Sequence, residues 1–472
     1  MGEVPRMNWS ITFAERDYEL LQSHLFPGDD DEHGAILACG ISETEGGSRL
    51  LVREVFLAEE GKDFVAGQRG YKQFTTLFVA DRSSYCRANG LAYVTVHNHG
   101  GSGKSVGFSA DDLRSHERGY PALVQLTGKP VTALVFTENA VAGDIFTDTV
   151  RHELASATVL GPTVHKLRPS PANSPELTDG TYDRQARMFG DRGQDILSGL
   201  KVAVIGAGGG GSLVNEMIAR LGVGHILAID PDVVEESNLT RIVGAIRRDA
   251  LGILPGVNLA LFRRLVKRTI RSKVMVAERV ARAANPRVRF EAVQGDVTNP
   301  DIARRLLDCD FVFLATDTMR SRLIFNQVVH QYLIPGAQIG AKVPVSEDGN
   351  VGQVRVVVRP VMPDAGCLWC GGAISPEQLN REALSDEERE RQRYVDDPDV
   401  HEPSVITLNA LGASQAVNDF LFMFTGLHEP TTRLHGRFQW ARERRWQEIK
   451  DKPREECLHC GHGSKSMYAL GD

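Results

Sequence analysis

A short apolar run, Val202 to Ile205, leads directly into Gly206-Ala207-Gly208-Gly209-Gly210-Gly211 and then into the helix-like stretch Ser212–Leu221. Nothing else in the 472-residue chain limits its fold as tightly. Glycines at 206, 208 and 211 let a strand turn sharply into a helix whose first N–H groups can approach a phosphate without Cβ obstruction. A second strand-like run, His225–Ile229, ends at Asp230, where an acid can reach ribose hydroxyls. Taken alone, this unit suits a dinucleotide as well as a nucleoside triphosphate.

The residues that follow separate the two. Asp232, Asn238, Arg241 and Lys273, the last heading a helix-like stretch to Ala284, put a second acid, an amide and two cations just beyond the ribose position. Hydride transfer has no need of them, whereas a triphosphate does. Asp317 follows the apolar run Phe311–Ala315, at the strand end where a Mg2+ ligand is expected. With Val288–Val293 completing the alternation, these runs predict an α/β unit with a parallel sheet and crossover helices.

At roughly 150 residues per folding unit, the length suits about three units, each able to bury a core. A formal charge of -7 with 24% charged residues and no long like-charge block argues against a phosphate-tracking nucleic-acid surface. The longest apolar stretch, Ser404–Leu427, is interrupted by Asn409, Gln415, Asn418 and Asp419 and reads as a buried helix, not a membrane span. Met1–Ile11 lacks an apolar core of signal-peptide length, so the expectation is a cytoplasmic protein without a membrane partner. Four of the 7 cysteines form two C-x-x-C pairs, Cys367/Cys370 and Cys457/Cys460, which can close a tetrahedron of thiolates around a structural zinc. Cys39 and Cys86 fall in the front of the chain, and Cys309 reads as a small apolar side chain before a buried strand.

Composition sets the expected boundaries. Leu160–Asp183 carries Pro162, Pro169, Pro171 and Pro175 among Ser, Thr and Asn, the mark of a linker. The division is therefore a front domain over 8–150, a linker over 151–180 and a second domain over 181–465. Within the latter, Ser375–Pro398 is rich in Glu, Arg and Asp and reads as a mobile loop. The Arg- and Leu-rich segment between Arg241 and Lys273 has no assigned role.

The front domain carries a different chemistry. Leu91–Val96 is a β-branched, alternating run, so His97 and His99, two apart on a strand, aim both imidazoles at one point. Asp112 as a third ligand leaves the fourth position of a zinc ion to water, as in catalytic sites, with Asp111 as the competing carboxylate. Glu32, just before the apolar run Ala35–Ala38, can take the proton from that water and pass it to a leaving amine. Ser109, three residues before Asp112, also fits a helix N-cap.

Together, Glu32, His97-x-His99 and Ser109-x-x-Asp112 resemble the JAB/JAMM metallopeptidases, which remove ubiquitin-like proteins or their tails. The resemblance covers about residues 8 to 150. It implies an α/β metallopeptidase domain with zinc on His97, His99 and Asp112, Glu32 as general acid/base, and Ser109 stabilising the oxyanion. Nine residues separate His99 from Ser109 where the family usually has seven, and Gly100 replaces its usual proline.

Over about residues 180 to 465, Tyr182-Asp183-Arg184-Gln185, the glycine turn, Asp230-x-Asp232, Asn238-Leu-x-Arg241, Lys273, Asn285-Pro286 and Ala-Thr-Asp317 resemble the ThiF/MoeB-type adenylating domain of ubiquitin-activating enzymes. The resemblance implies a Rossmann-like domain that uses ATP and Mg2+ to convert a protein's C-terminal carboxylate to an acyl-adenylate. Arg241 and Lys273 would lie on the phosphates and Asp317 on magnesium. Arg184 would be an arginine finger supplied across a homodimer, and the two cysteine pairs would hold the structural zinc. Many relatives carry a nucleophilic cysteine in the loop corresponding to 375–398, and this chain has none there.

The expected function is thus bifunctional: zinc-dependent cleavage at the C-terminus of a ubiquitin-like protein and ATP-dependent adenylation of its terminal glycine, without a thioester in that loop. A conjugating enzyme is an expected further partner, and antiviral defence a candidate setting. The alternatives are sulfur-carrier activation for sulfur transfer, and a front domain that only binds the modifier's tail. An NAD-linked oxidoreductase is the disfavoured reading.

Overall fold

The computed structural model describes residues 8–29, 31–65, 72–99, 103–148, 150–173, 180–251, 270–346, 348–384, 403–429 and 431–472. The chain divides into two compact units, Met1–Ser174 with His330–Leu333 and Cys460–Asp472, and Pro175–Val329 with Ile334–His459.

The first unit contains β1 (Trp9–Ala14), α1 (Glu15–Leu25), β2 (Gly34–Thr44), β3 (Gly47–Leu57), α2 (Thr76–Asn89), β4 (Ala92–Asn98), α3 (Ala110–Thr127), β5 (Val131–Thr137), β6 (Ala140–Phe146), β7 (Arg151–Leu160) and β8 (His165–Leu167). Its strands run in the order β1-β3-β2-β4-β5-β6-β7-β8, and a β1–β7 pairing closes the sheet on itself. The two-residue period of β4 sorts its side chains onto opposite faces. Val94 and Val96 join a core with Phe13 and Phe136, while Tyr93 joins another with Phe78 and Tyr120 of the helices.

The expected linker is corrected in part. Arg151–Leu160 pairs with both β1 and β6, burying Leu154, Ala157 and Val159, and His165–Leu167 pairs with it. Pro162 and Pro169 therefore flank a strand rather than mark unpaired chain. Residues 174–179 lie outside the described residues. The far boundary shifts too, because Cys460–Asp472 belongs to the first unit, where the Ala469 N–H donates to the His330 carbonyl and Gly471 bridges Ile41.

The second unit contains α4 (Asp183–Gly199), β9 (Lys201–Ile205), α5 (Gly209–Arg220), β10 (His225–Ile229), α6 (Lys273–Ala284), β11 (Arg289–Val293), β12 (Phe311–Leu314), α7 (Met319–Gln331), β13 (Gly336–Lys342), β14 (Arg355–Val361), α8 (Pro376–Ala383), α9 (Ile406–Thr425), β15 (Gly436–Trp440) and β16 (Arg445–Ile449). The order β11-β10-β9-β12-β13 is parallel, as the alternation predicts, and β14, β15 and β16 extend it antiparallel. Strand order reverses between β9 and β12, which opens a crevice at their carboxyl ends. The apolar stretch from Ser404 is the buried helix expected. Phe420 of α9 lies 5.1 Å, centroid to centroid, from Phe311 of β12.

The stretch expected as a mobile loop begins as helix α8, where Ser375 Oγ accepts the Gln378 N–H and Pro376 occupies the first turn. Its remainder, 385–398, lies outside the described residues, as do 252–269 of the Arg- and Leu-rich segment and Gly100.

Candidate functional site

The glycine turn sits at the β9/β12 crevice, and its glycines have different reasons to be there. A Cβ on Gly206, whose φ is +93°, would lie 2.8 Å from the Ala315 carbonyl oxygen, and one on Gly211 would lie 1.7 Å from the Gly206 oxygen. Both positions need glycine for packing. A Cβ on Gly208 would meet nothing within 4 Å. That open position at the start of α5 is where a phosphate can approach N–H groups.

The acids and cations converge beside the turn. Asp230 is buried, and its carboxylate accepts N–H groups of Ala207 (2.7 Å) and Asp232 (2.9 Å), tying the end of β10 to the turn. Burial pushes its carboxyl up, with Lys273 and these N–H groups opposing. Asp232 is exposed and pairs with the Lys273 ammonium at 2.6 Å, which makes it the more accessible of the two acids. Asn238 is buried and accepts the Glu235 N–H, closing a short turn that presents Arg241. The Arg241 side chain runs past Gly209 while its guanidinium donates to the Ser237 carbonyl at 3.1 Å. Asp317 is exposed just beyond β12. Arg184, in the first turn of α4, is exposed, and among the described residues no hydrogen bond or ion pair joins it to this group.

In the first unit, His97 and His99 at the end of β4 meet Asp112 in the first turn of α3. The imidazole Nε2 atoms are 3.3 Å apart, and they lie 3.7 and 3.5 Å from the Asp112 carboxylate oxygens. Ligands at roughly 2.05 Å from a tetrahedral zinc stand about 3.3 Å from one another, so this donor set fits a small divalent cation. Asp111, the competing carboxylate, is exposed and ion-paired with Arg114. Ser109 and Asp112 form a capping box, and the Ser109 hydroxyl donates to Asp112 Oδ2 at 2.7 Å. Burial opposes the charged form of Asp112, but His97, His99 and Ser109 outweigh it and hold the carboxyl far below the usual range. Asp112 in turn raises His99 above the usual imidazole value.

Glu32 is positioned by a residue with no distinctive sequence signal. The buried Asn98, between the two histidines, accepts the His33 N–H at 2.5 Å and donates to the Asp31 carbonyl at 3.4 Å. These bonds fasten both neighbours of Glu32 to β4, and Glu32 lines one cavity with His97 and Asp112. His116, one turn after Asp112, is likewise held by Asp144 at 2.7 Å, which Arg151 clamps from the other side.

The four C-x-x-C sulfurs all lie within 4.8 Å of one another. Cys367 Sγ and Cys457 Sγ are 3.7 Å apart, close to the roughly 3.8 Å edge of a tetrahedron with zinc–sulfur bonds of about 2.3 Å. Among the described residues, no helix is long and apolar enough to cross a membrane.

A Rossmann-like sheet with a glycine turn at its switch point, edged by Asp232, Arg241 and Lys273, defines a nucleotide-binding unit. Residues 182–459 match the ThiF family, and the chain belongs to it. It is 27% identical over 213 residues to ubiquitin-like modifier-activating enzyme 5 of Gallus gallus, covering 42% of this chain and 47% of the relative. It is 31% identical over 193 residues to the sulfur carrier protein ThiS adenylyltransferase of Bacillus subtilis (strain 168), covering 40% and 50%. A crystal structure of E. coli MccB with ATP aligns over 60% of this chain and 75% of that one, at 18% identity and a TM-score of 0.45. The chain thus spans about half the length of the curated relatives it matches.

Proposed function

We propose that the second unit adenylates the C-terminal carboxylate of a ubiquitin-like or sulfur-carrier protein, using ATP and Mg2+. The observation that carries this reading is the cradle at the β9/β12 switch point, where two glycines are required by packing and the third is open toward the ligand side. Arg241 and Lys273 would offset phosphate charge, Asp232 would bind ribose hydroxyls, and Asp317 would ligate magnesium. Arg184 would reach the phosphates of a second copy, so the working form would be a homodimer. Attack of the carboxylate on the α-phosphorus releases pyrophosphate.

Transfer onward goes to an external acceptor. Four cysteines are committed to the sulfur cluster, and the other three, Cys39, Cys86 and Cys309, are buried. Burial pushes the Cys86 and Cys309 thiols up to about 12, which leaves almost no nucleophilic thiolate at neutral pH. The relatives named for modifier activation and for sulfur-carrier adenylation support both end uses equally.

The first unit would be a JAB/JAMM-like zinc peptidase that exposes or frees the same terminus, supported by the convergence of His97, His99 and Asp112 beside Glu32. Zinc bound there supplies Lewis-acid activation of water and of the scissile carbonyl. Glu32 takes the water's proton and returns it to the leaving amine, and Asn98 keeps Glu32 in reach. Pyrophosphate exchange dependent on a glycine-ended carrier tests the second unit; full exchange by Asp317→Ala would remove Asp317 from the assignment. Cleavage of a tailed carrier tests the first, and activity that survives both Glu32→Ala and chelation would rule out the metal chemistry.

A further inference from the structure

Helix α9 keeps one face buried along most of its length. Ala413, Ala416 and Phe420, at steps of three and four residues, are all fully buried. One turn before Ala413 the same face carries Asn409, an amide where the packing pattern asks for an apolar side chain. Gly412 lets this end of the helix press on the sheet, since a Cβ there would stand 3.0 Å from side-chain carbons of Ile339 and Val356. Helix α9 thus carries a polar group, on a closely packed backbone, to the first turn of α5.

Gly209 receives it. The Cα–Cβ direction of a helical residue tilts toward the helix N-terminus, so a side chain on Gly209, the first residue of α5, would project past the end of the helix. Asn409 Nδ2 overlaps the place such a Cβ would take, and Arg241 Cδ stands 3.5 Å from it. The φ of Gly209 lies outside the left-handed region, so backbone geometry does not demand glycine there. The Ser212 hydroxyl accepts the Val243 N–H at 3.1 Å and fastens the segment carrying Arg241 to the same turn. One N–H of the Asn409 amide goes to Ser404 Oγ at 3.1 Å, and among the described residues no acceptor takes the other.

We propose that Asn409 is a phosphate-binding residue of the nucleotide site, and that position 209 is glycine to admit its amide. The proposal rests on the adenylation reading of the second unit. A phosphate at the N-terminus of α5 meets the first N–H groups of that helix, the Arg241 side chain and the second N–H of Asn409. The three come from α5, the turn after β10 and α9, so they surround the phosphate instead of lining one side of it.

Calorimetric titration of the full-length protein with ATP and Mg2+ tests this, with the thermal midpoint of every variant measured alongside. Asn409→Ala should weaken ATP binding about tenfold or more, the usual loss for a hydrogen bond to a charged group. Asn409→Asp, of the same size, should weaken it further, because it sets a carboxylate against the phosphate. Gly209→Ala should act like Asn409→Ala with little change in thermal midpoint, since the new methyl displaces only the end of a flexible side chain. In the double variant Gly209→Ala should cost nothing more, as expected of two changes that remove one interaction. Unchanged ATP affinity in both Asn409 variants overturns the proposal and leaves the adenylation reading standing. A loss of affinity that tracks a fall in thermal midpoint makes Asn409 a packing residue and overturns it as well. Equal losses from Gly209→Ala with and without Asn409 overturn the assignment of Gly209 to the amide. Absence of ATP binding by the unaltered protein overturns both the proposal and the adenylation reading.

Discussion

The three glycines of the turn make opposite demands, and single substitutions separate them. In Gly211→Ala the new methyl would overlap the Gly206 carbonyl oxygen, a backbone atom that cannot swing aside. Overpacking of this kind costs about 1–3 kcal/mol, read as a fall in thermal midpoint of several degrees. In Gly208→Ala nothing lies in the way, and φ of -73° suits alanine, so stability should hold or rise by about 0.4–1 kcal/mol. Nucleotide affinity, measured by calorimetry, should nevertheless fall by about tenfold. Equal loss of stability in both variants would mean that Gly208 is a packing position and not part of a phosphate cradle. Asn98 gives a second contrast. Asn98→Ala frees the chain on both sides of Glu32 without touching His97, His99 or Asp112, so zinc content should stay constant while cleavage drops by about 10²-fold, the usual consequence of misplacing a catalytic group by an ångström. Loss of zinc with activity would reassign Asn98 to ligand support.

At the level of elements, what could be read from the sequence follows whether the signal is local. The runs Val202–Ile205 and His225–Ile229 are buried on both faces and therefore almost continuously apolar, so β9 and β10 announce themselves. The β14–β16 extension does not: β14 contains Pro360 and takes its partner β15 from far along the chain, while β16, in a hairpin with β15, is mostly exposed and lacks an apolar run. Strand β7 was hidden for a similar reason, since its neighbours β1 and β6 are partly remote in sequence and the prolines downstream suggest a linker. The ligands His97, His99 and Asp112 were legible because strand and helix periods dictate their faces, whereas Asn98 and the His116–Asp144 pair act through distant partners. Helix α9 carries a consequence of burial that can be measured. Burial pushes the Asp419 carboxyl up to about 6, with the Gln415 amide and the Arg437 guanidinium opposing, and the His428 ring hydrogen-bonds its backbone. The folded state therefore holds a proton that the unfolded chain has lost. This contribution is fully present below about pH 4 and disappears as pH rises through about 6. At roughly 1.4 kcal/mol per unit, the charged form costs at most about 3 kcal/mol at pH 7. Asp419→Asn should be more stable at pH 7 and should lack this fall between pH 4 and 6. Parallel urea-denaturation curves for the two proteins at every pH would refute it.

For the whole molecule, the two candidate metal centres should behave as different kinds of site. The cysteine cluster offers four ligands, three of them buried, and has no position left for water. The His97–His99–Asp112 centre offers three ligands that remain partly exposed, with an open side facing the cavity. Purified protein should contain two zinc ions per chain, and His97→Ala should reduce this to one without changing the near-ultraviolet circular dichroism. EDTA should remove that same ion first, because a chelator can enter the open side, while the second ion should leave only with unfolding. Protons compete with the cysteine-bound ion. Burial pushes the Cys370 thiol up to about 11, so zinc binding at neutral pH must expel protons from sulfur. Its apparent affinity should therefore fall as pH falls, and binding should release protons detectable in buffers of different ionisation enthalpy. A zinc content of one that His97→Ala leaves unchanged would remove the front centre. Rapid loss of both ions to EDTA would mean that the sulfur cluster is not closed.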